Sequence, residues 1–430
     1  MTDRLSISSD FSYIPSDHII RPEQFIHMIN ADKALDTILN EARVLSAEKL
    51  KLRKALRRTL AEDVVAKENV PPFDCSAMDG YAVRSDDTKS ASERKPVTLI
   101  VIGESSAGNV FKGKLTALQA VRVMTGGTIP KGADSVVPVE QVVATDDEKI
   151  QIAAFMKPGA HIRNAGEDIA RDSVPLQTGD LLTPAKLGVL ASLGYTKVKT
   201  RVRPHVKIIT TGDELVSPGA KLSAGQIRNS NRYTLSGLVE EAGAVAEFVA
   251  SIPDKRKQIR KGIAHSLDCD ILLITGGVSV GKYDLVKDVL SELGVQAKFW
   301  QVNIKPGKPL FFGTFEKTLV FGLPGNPVSA HVTFLEFVRP AILSMLGATS
   351  STGVMLHAIL DQQIVKRDAK RHFIRGIATS GNGVLRVSTT GTQSSGALSS
   401  MAKANCLIVI PENVTSLPKG RKVTIEMLTS

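Results

Sequence analysis

The chain has 430 residues, 43% hydrophobic and 23% charged, which is ordinary globular composition and room for two to four domains. Lys and Arg number 54 against 43 Asp and Glu, a net charge of +11 that favours anionic ligands: nucleotides, phosphates, oxyanions. One Trp and five Tyr are too few for stacking on single strands, so no specific nucleic-acid partner is expected. Cys75, Cys269 and Cys406 lie far apart, which excludes a C-x-x-C metal or redox pattern and suits a reducing compartment. The N-terminus carries acids without a continuous apolar segment, and no stretch reaches membrane-spanning length. These features predict a cytoplasmic protein with no membrane association.

Residues 1–22 lack periodicity and read as an irregular arm. From Pro22 to about Arg58, the spacing of Phe25, Ile29, Ala34, Leu35, Ile38 and Leu39 predicts helix. Over 71–165, short β-branched runs ("PVTLIVIG", "AVRVMTGG", "DSVVPVEQVV") alternate with Gly and Pro, as in a small β-rich domain. "TPAKLGVLASLGY" (183–195) is helical again, so 23–70 and 166–200 are read as one discontinuous domain into which the β-rich one is inserted. Over 201–347, strands and helices alternate, which indicates a doubly wound α/β domain with a parallel sheet. Residues 348–430 are rich in Ser, Thr and Gly with short apolar strands, a small C-terminal β domain.

Ligands bind a doubly wound sheet outside the carboxyl ends of its strands. Three loops qualify: "TTGDEL" (210–215), "TGGVSVGKYD" (275–284) and "GLPGNP" (322–327), all expected on one edge. The second begins like a P-loop, but Tyr283 replaces the required Ser or Thr. Its glycines suit close backbone approach to an anion, or a plain strand-to-helix turn with Asp284 as N-cap. Asn326 and Pro327 fit the N-cap and first position of the next helix, and the N–H groups at 328–330 form an anion site if uncovered. "NIKPGKPLFFG" sets Lys305 and Lys308 on a stiff Pro-Gly turn, suited to phosphate or to solvent alone. Asp213, Glu214 and Asp284 beside these loops suggest a hard cation such as magnesium, or turn and helix caps. "PPFDCSAMDGYAV" (71–83), "MTGGTIPKGADSVVPVE" (124–140) and "IRNAGEDI" (162–169) are further Gly-bounded polar turns.

Together these segments resemble, in order and spacing, the molybdopterin molybdenumtransferase family (MoeA and the gephyrin E domain), from about Pro22 to the C-terminus. The resemblance implies a Mg2+-dependent transferase that joins molybdate to adenylylated molybdopterin, releasing AMP and molybdenum cofactor. It implies a homodimer whose partner helps line the cleft, and exchange with a molybdopterin adenylyltransferase and molybdoenzyme chaperones. By the same resemblance, 275–284 is a molybdopterin-binding loop (Gly276, Gly277, Ser279, Gly281) and its P-loop match is accidental.

Carried over residue by residue, Asp79 and Thr125 would face the other subunit's cleft, with Asp168 beside them. Glu214 and Asp284 would hold the metal near the phosphates, and Asp254 would join them. Lys305 and Lys308 would hold molybdate or phosphate, and Pro324, Asn326 and Pro327 would shape the rim. Arg375 of "FIRG" and Ser395 of "TGTQSSG" match cleft-lining positions. The chain departs from the family at Gln301, where a basic residue is common, and at Cys75. The alternative class is a non-catalytic molybdopterin-binding scaffold or carrier of the gephyrin type, although the fused adenylyltransferase of that arrangement is not seen here. The basic runs "DKRKQIRK" and "KRDAKRH" read as solvated faces.

Overall fold

The computed structural model describes residues 28–146, 148–277, 285–349 and 353–428. It is a multidomain α/β fold. The chain divides into two compact units, one of residues 47–201 and one of 1–46 with 202–430.

The larger unit is built on a six-stranded sheet: β1 (His205–Thr211), β2 (Val245–Ile252), β3 (Ile271–Thr275), β4 (Gln296–Gln301), β5 (Pro309–Phe315) and β6 (Thr318–Leu323), in the order β2-β1-β3-β6-β5-β4. β2, β1, β3 and β6 are parallel, and β5 runs antiparallel to both its neighbours. All five residues of β3 are buried. Both faces of the sheet are covered, so β3 reads as a continuous apolar run rather than an alternation. Its side chains still divide between the faces: Ile271 and Leu273 join one core with Val206, Ile208 and Phe321, while Leu272 and Ile274 join the other with Ile209, Phe311 and Val320.

Helix α1 (Ala31–Glu41) begins at Asn30, whose side chain accepts from the Lys33 N–H at 2.7 Å. Ala31, Ala34 and Ile38 pack into the sheet's first core, so α1 belongs to the larger unit, whereas the 47–70 segment grouped with it by sequence belongs to the smaller one. The predicted helix to Arg58 is corrected: α1 stops at Glu41, and Ala47–Lys51 is a strand paired with Lys197–Arg201, a partner too distant in sequence to show in local periodicity. Helices α2 (Asn231–Glu241), α3 (Arg256–Ala264) and α4 (Leu285–Glu292) follow β1, β2 and β3. After β6, α5 (Pro327–Thr333) passes through a π turn (Phe334–Val338) into α6 (Arg339–Met345). The turn sets Glu336, half-buried with its Oε1 atom shielded from solvent, beside Glu426, which pairs with Arg339. Burial first, then the neighbouring Glu426, pushes the Glu336 carboxyl well above its ordinary range.

Strands β7 (Met355–Leu360), β8 (Arg371–Gly381), β9 (Val384–Thr389), β10 (Cys406–Ile410) and β11 (Lys422–Met427) close a barrel in the order β8-β9-β7-β11-β10, with β10 pairing back to β8. Leu360, Val387, Ile408 and Ile425 fill it.

In the smaller unit a six-stranded sheet spans 80–152, with Tyr81, Leu99, Val137 and Ile150 in one core. A second core, Leu60, Val64, Leu176 and Leu190, includes the predicted helix, observed as Pro184–Ser192. The chain enters and leaves this unit through the paired strands Ala47–Lys51 and Lys197–Arg201, and the Val202 N–H donates to Ser46 O at 2.9 Å.

Candidate active site

The loops after β1, β3 and β6 open on the same edge of the sheet and line one cavity of about 380 Å³. Thr211, Gly212 and Glu214 form one wall, Gly276 and Gly277 another, and Pro324–Pro327 a third, with Asp254 after β2. This is where the strand order reverses around β1, the switch point at which a doubly wound sheet opens a crevice.

Gly276 and Gly277 have φ of 92° and 62°, left-handed values that favour glycine. A Cβ on Gly276 would lie 2.3 Å from Thr211 O, so the loop approaches the end of β1 only because it lacks one. Gly212 plays a similar part: a Cβ there would fall 2.4 Å from Glu214 Oε2, so the carboxylate folds over the glycine.

A polar network underlies the cleft. Asn231 Nδ2 donates to Thr275 Oγ1 at 3.0 Å and to Gly325 O at 2.9 Å, and Thr275 Oγ1 donates to Pro324 O at 2.9 Å. Asn229 Nδ2 donates to Thr210 Oγ1 at 2.7 Å. Side chains from β3 and α2 thereby fix the β6 loop. Sequence reasoning missed these asparagines. The signal was present as "NSN", two amides at the start of an apolar helical stripe.

Asp213, Glu214 and Asp254 bring three carboxylates together at the carboxyl ends of β1 and β2. Asp213 Oδ1 accepts from the Asp254 N–H at 3.1 Å. Desolvation, then the charges of Asp213 and Glu214, raises the Asp254 pKa above its ordinary value. Carboxylate oxygens are donors of the kind a hard divalent cation takes. Among the described residues no three His, Cys, Asp or Glu side chains surround a single point. Asp284, the other predicted ligand, and Ser279 and Gly281 lie outside the described residues.

The N–H groups at the start of α5 are not all open, because Val328 N donates to Ser395 O at 3.1 Å. Asn326 stands at the N-cap, but its Nδ2 donates to Ser395 Oγ at 3.1 Å and its side chain makes no cap bond. Arg375 does not face the cleft of its own subunit. It is 1% exposed, and its guanidinium donates to Thr392 O, Ser394 O and Ser400 Oγ at 3.0–3.3 Å. Arg375 thus shapes the loop that carries Ser395 to the cleft rim. Lys305 and Lys308 are both exposed and neither lines the cavity, whereas Pro309 does. Lys305 instead faces Asp368, at 3.7 Å.

In the smaller unit the three polar turns converge. The Ser76 N–H donates to Gly127 O, the Gly126 N–H to Ser76 O, and the Ala77 N–H to His161 O, so 74–79 is laced to both other turns. Asp79 accepts from Thr125, and the Asp168 N–H donates to Val70 O at 3.0 Å, leaving its side chain exposed.

Residues 207–344 match a probable molybdopterin binding domain, and they include the whole cleft loop set. The fold and the cleft are thus of the class of a probable molybdopterin binding domain. Residues 29–194 match the MoeA N-terminal region (domain I and II) and 357–428 the MoeA C-terminal region (domain IV). The chain is 39% identical to the molybdopterin molybdenumtransferase of Haemophilus influenzae over 93% of its length and 98% of that protein's. It is 33% identical to the one from Bacillus subtilis over 93% and 94%. A crystal structure of the molybdopterin biosynthesis moeA protein from Pyrococcus horikoshii OT3 covers 93% of this chain and 100% of its own, at TM-score 0.82 and 35% identity. The chain belongs to the molybdopterin molybdenumtransferase (MoeA) family, transferases of molybdenum cofactor biosynthesis.

Proposed function

We propose that the protein inserts molybdate into adenylylated molybdopterin and releases AMP, with Mg2+ as the metal. The observation that carries this reading is the cleft itself: a glycine loop whose backbone can approach a pyrophosphate closely, beside the Asp254 carboxyl, which the charges of Asp213 and Glu214 disfavour as an anion. Glu214 and Asp284 would hold Mg2+, with Asp254 beside them, and the ion would supply charge neutralisation at the phosphates. The Gly276–Gly277 backbone would receive the substrate, and Lys305 and Lys308 would draw molybdate toward it. A molybdate oxygen then bonds to the adenylyl phosphorus, and the bond from that phosphorus to the bridging oxygen breaks. AMP leaves with the molybdate oxygen, molybdopterin keeps its own phosphate, and the dithiolene sulfurs take the molybdenum. Holding two anions in line is worth up to about 7–11 kcal/mol of barrier in the best cases. In this reading the working form is a homodimer, in which the Asp79, Thr125 and Asp168 turns of one subunit face the cleft of the other. The substrate arrives from a molybdopterin adenylyltransferase in the cytoplasm, and product passes to molybdoenzyme chaperones.

The test is AMP release from adenylylated molybdopterin and Mg2+, with and without molybdate. Molybdate-dependent AMP that disappears in Glu214→Ala supports the reading. Tight substrate binding without AMP overturns it in favour of a carrier.

A further inference from the structure

The basic run "KRDAKRH" (366–372), which reads as a solvated face in sequence, is tied on every side in the fold. The Lys366 ammonium is buried and donates to the carbonyl oxygens of Lys370, Pro411 and Glu412. Asn303 Nδ2 donates to Ala369 O at 2.7 Å, and the Arg371 N–H donates to Asn303 O at 3.0 Å. Ile304 and Lys305 pair in parallel with Arg371 and His372, so the lysine turn is an added strand on the barrel edge.

At the centre of this bracket is Asp368. Its Oδ1 accepts from His372 Nε2 at 2.6 Å, and its Oδ2 faces the Lys305 ammonium at 3.7 Å. Burial holds the His372 pKa below its ordinary value, so the ring is neutral near pH 7 and presents Nε2–H to the carboxylate. One carboxylate oxygen is thus anchored to a buried ring while the other is left for the lysine. A free lysine side chain spreads over many rotamers, and a fixed anion beside its ammonium narrows them. The ammonium has three protons; the long, half-exposed contact leaves it able to turn to an incoming oxyanion.

We propose that Asp368, locked by His372, is a positioning residue that holds Lys305 for the oxyanion substrate. This rests on the reading of Lys305 as a molybdate holder. A residue acting through Lys305 alters oxyanion capture rather than the later chemistry, so the KM for molybdate and kcat should separate.

The experiment is molybdate-dependent AMP release by the full-length protein, with Lys305→Ala, Asp368→Asn, Asp368→Glu and His372→Gln compared by KM for molybdate and kcat. The expected result for Asp368→Asn is a KM raised about threefold to tenfold with kcat within about twofold, since a half-exposed ion pair is worth little more. Asp368→Glu should restore much of it, and Asp368→Asn should add nothing in a Lys305→Ala background. His372→Gln, which leaves the carboxylate in place but unlocks it, gives the same direction if Asp368→Asn does not fold. An unchanged or lowered KM in Asp368→Asn, while Lys305→Ala raises it, overturns the positioning role and leaves the reading of Lys305 standing. An unchanged KM in Lys305→Ala overturns both.

Discussion

Thr125 gives Asp79 two hydrogen bonds, from its backbone N–H at 2.7 Å and from its hydroxyl at 2.8 Å, joining two turns 46 residues apart. Both bonds favour the ionised carboxylate, the backbone one more, and with the charge of Arg122 they hold the Asp79 pKa below its ordinary value. The pair is exposed and packs no core. Asp79→Ala should therefore cut AMP turnover severely while the melting temperature barely moves, and the loss should be the same at every pH above the carboxylate range. Paired kinetic and calorimetric measurements check it; a fall in melting temperature matching the fall in activity would contradict a catalytic role.

Asp254 leads to a prediction of opposite sign. Its folded-state pKa is raised, so its protonated form stabilises the fold below the ordinary carboxylate pKa, and that contribution is lost as pH rises through the raised value. At neutral pH the ionised group is a liability. Asp254→Asn should raise the melting temperature at pH 7 and not in acid. Added Mg2+ should raise the melting temperature of the parent protein and do so less in the variant. Melting curves across pH and Mg2+ would show this, and an equal response of both proteins to Mg2+ would remove Asp254 from the metal's surroundings.

Gly276→Ala puts a Cβ 2.3 Å from Thr211 O at a φ of 92°. The expected cost is roughly 1–3 kcal/mol of stability from the left-handed backbone, before the clash is relieved. Chemical denaturation measures it. Substrate affinity should fall with it, because the loop can move away from β1 only by widening the cleft.

Glu336 sits beside Glu426 with its Oε1 shielded from solvent, and its raised pKa means that the folded protein holds a proton there that the unfolded chain gives up. Its contribution is whole below the ordinary Glu pKa and declines as pH rises through the raised value. Glu336→Gln should melt close to the parent in mild acid and progressively above it as pH rises. A constant difference across pH would mean that Glu336 does not carry that proton.

The sheet and its ligand edge were legible because both depend on local signals: β-branched runs such as "DILLIT", helical spacing after them, and glycines at the joins. The fates of particular side chains were not. Asn326 takes the N-cap position its local marks predict, but no cap bond forms, and its Nδ2 donates to Ser395, 69 residues on. Arg375 has the type of an anion-binding residue, yet its guanidinium goes to carbonyls of the 392–394 loop. The strand Ala47–Lys51 carries no strong β pattern and exists because Lys197–Arg201 lies opposite. In each case a partner distant in sequence outweighs the local preference, and spacing along one chain does not encode that partner.

The paired strands Ala47–Lys51 and Lys197–Arg201 give the chain a single doorway into its smaller unit, and Ser46 and Val202 meet at its threshold. A segment that departs and returns at neighbouring points behaves as a cassette. Joining Ser46 to Val202 by a short turn leaves every strand of the cleft-bearing sheet in its original connection. The sheet that carries the glycine loop thus keeps its wiring whatever the length of the cassette between Ser46 and Val202.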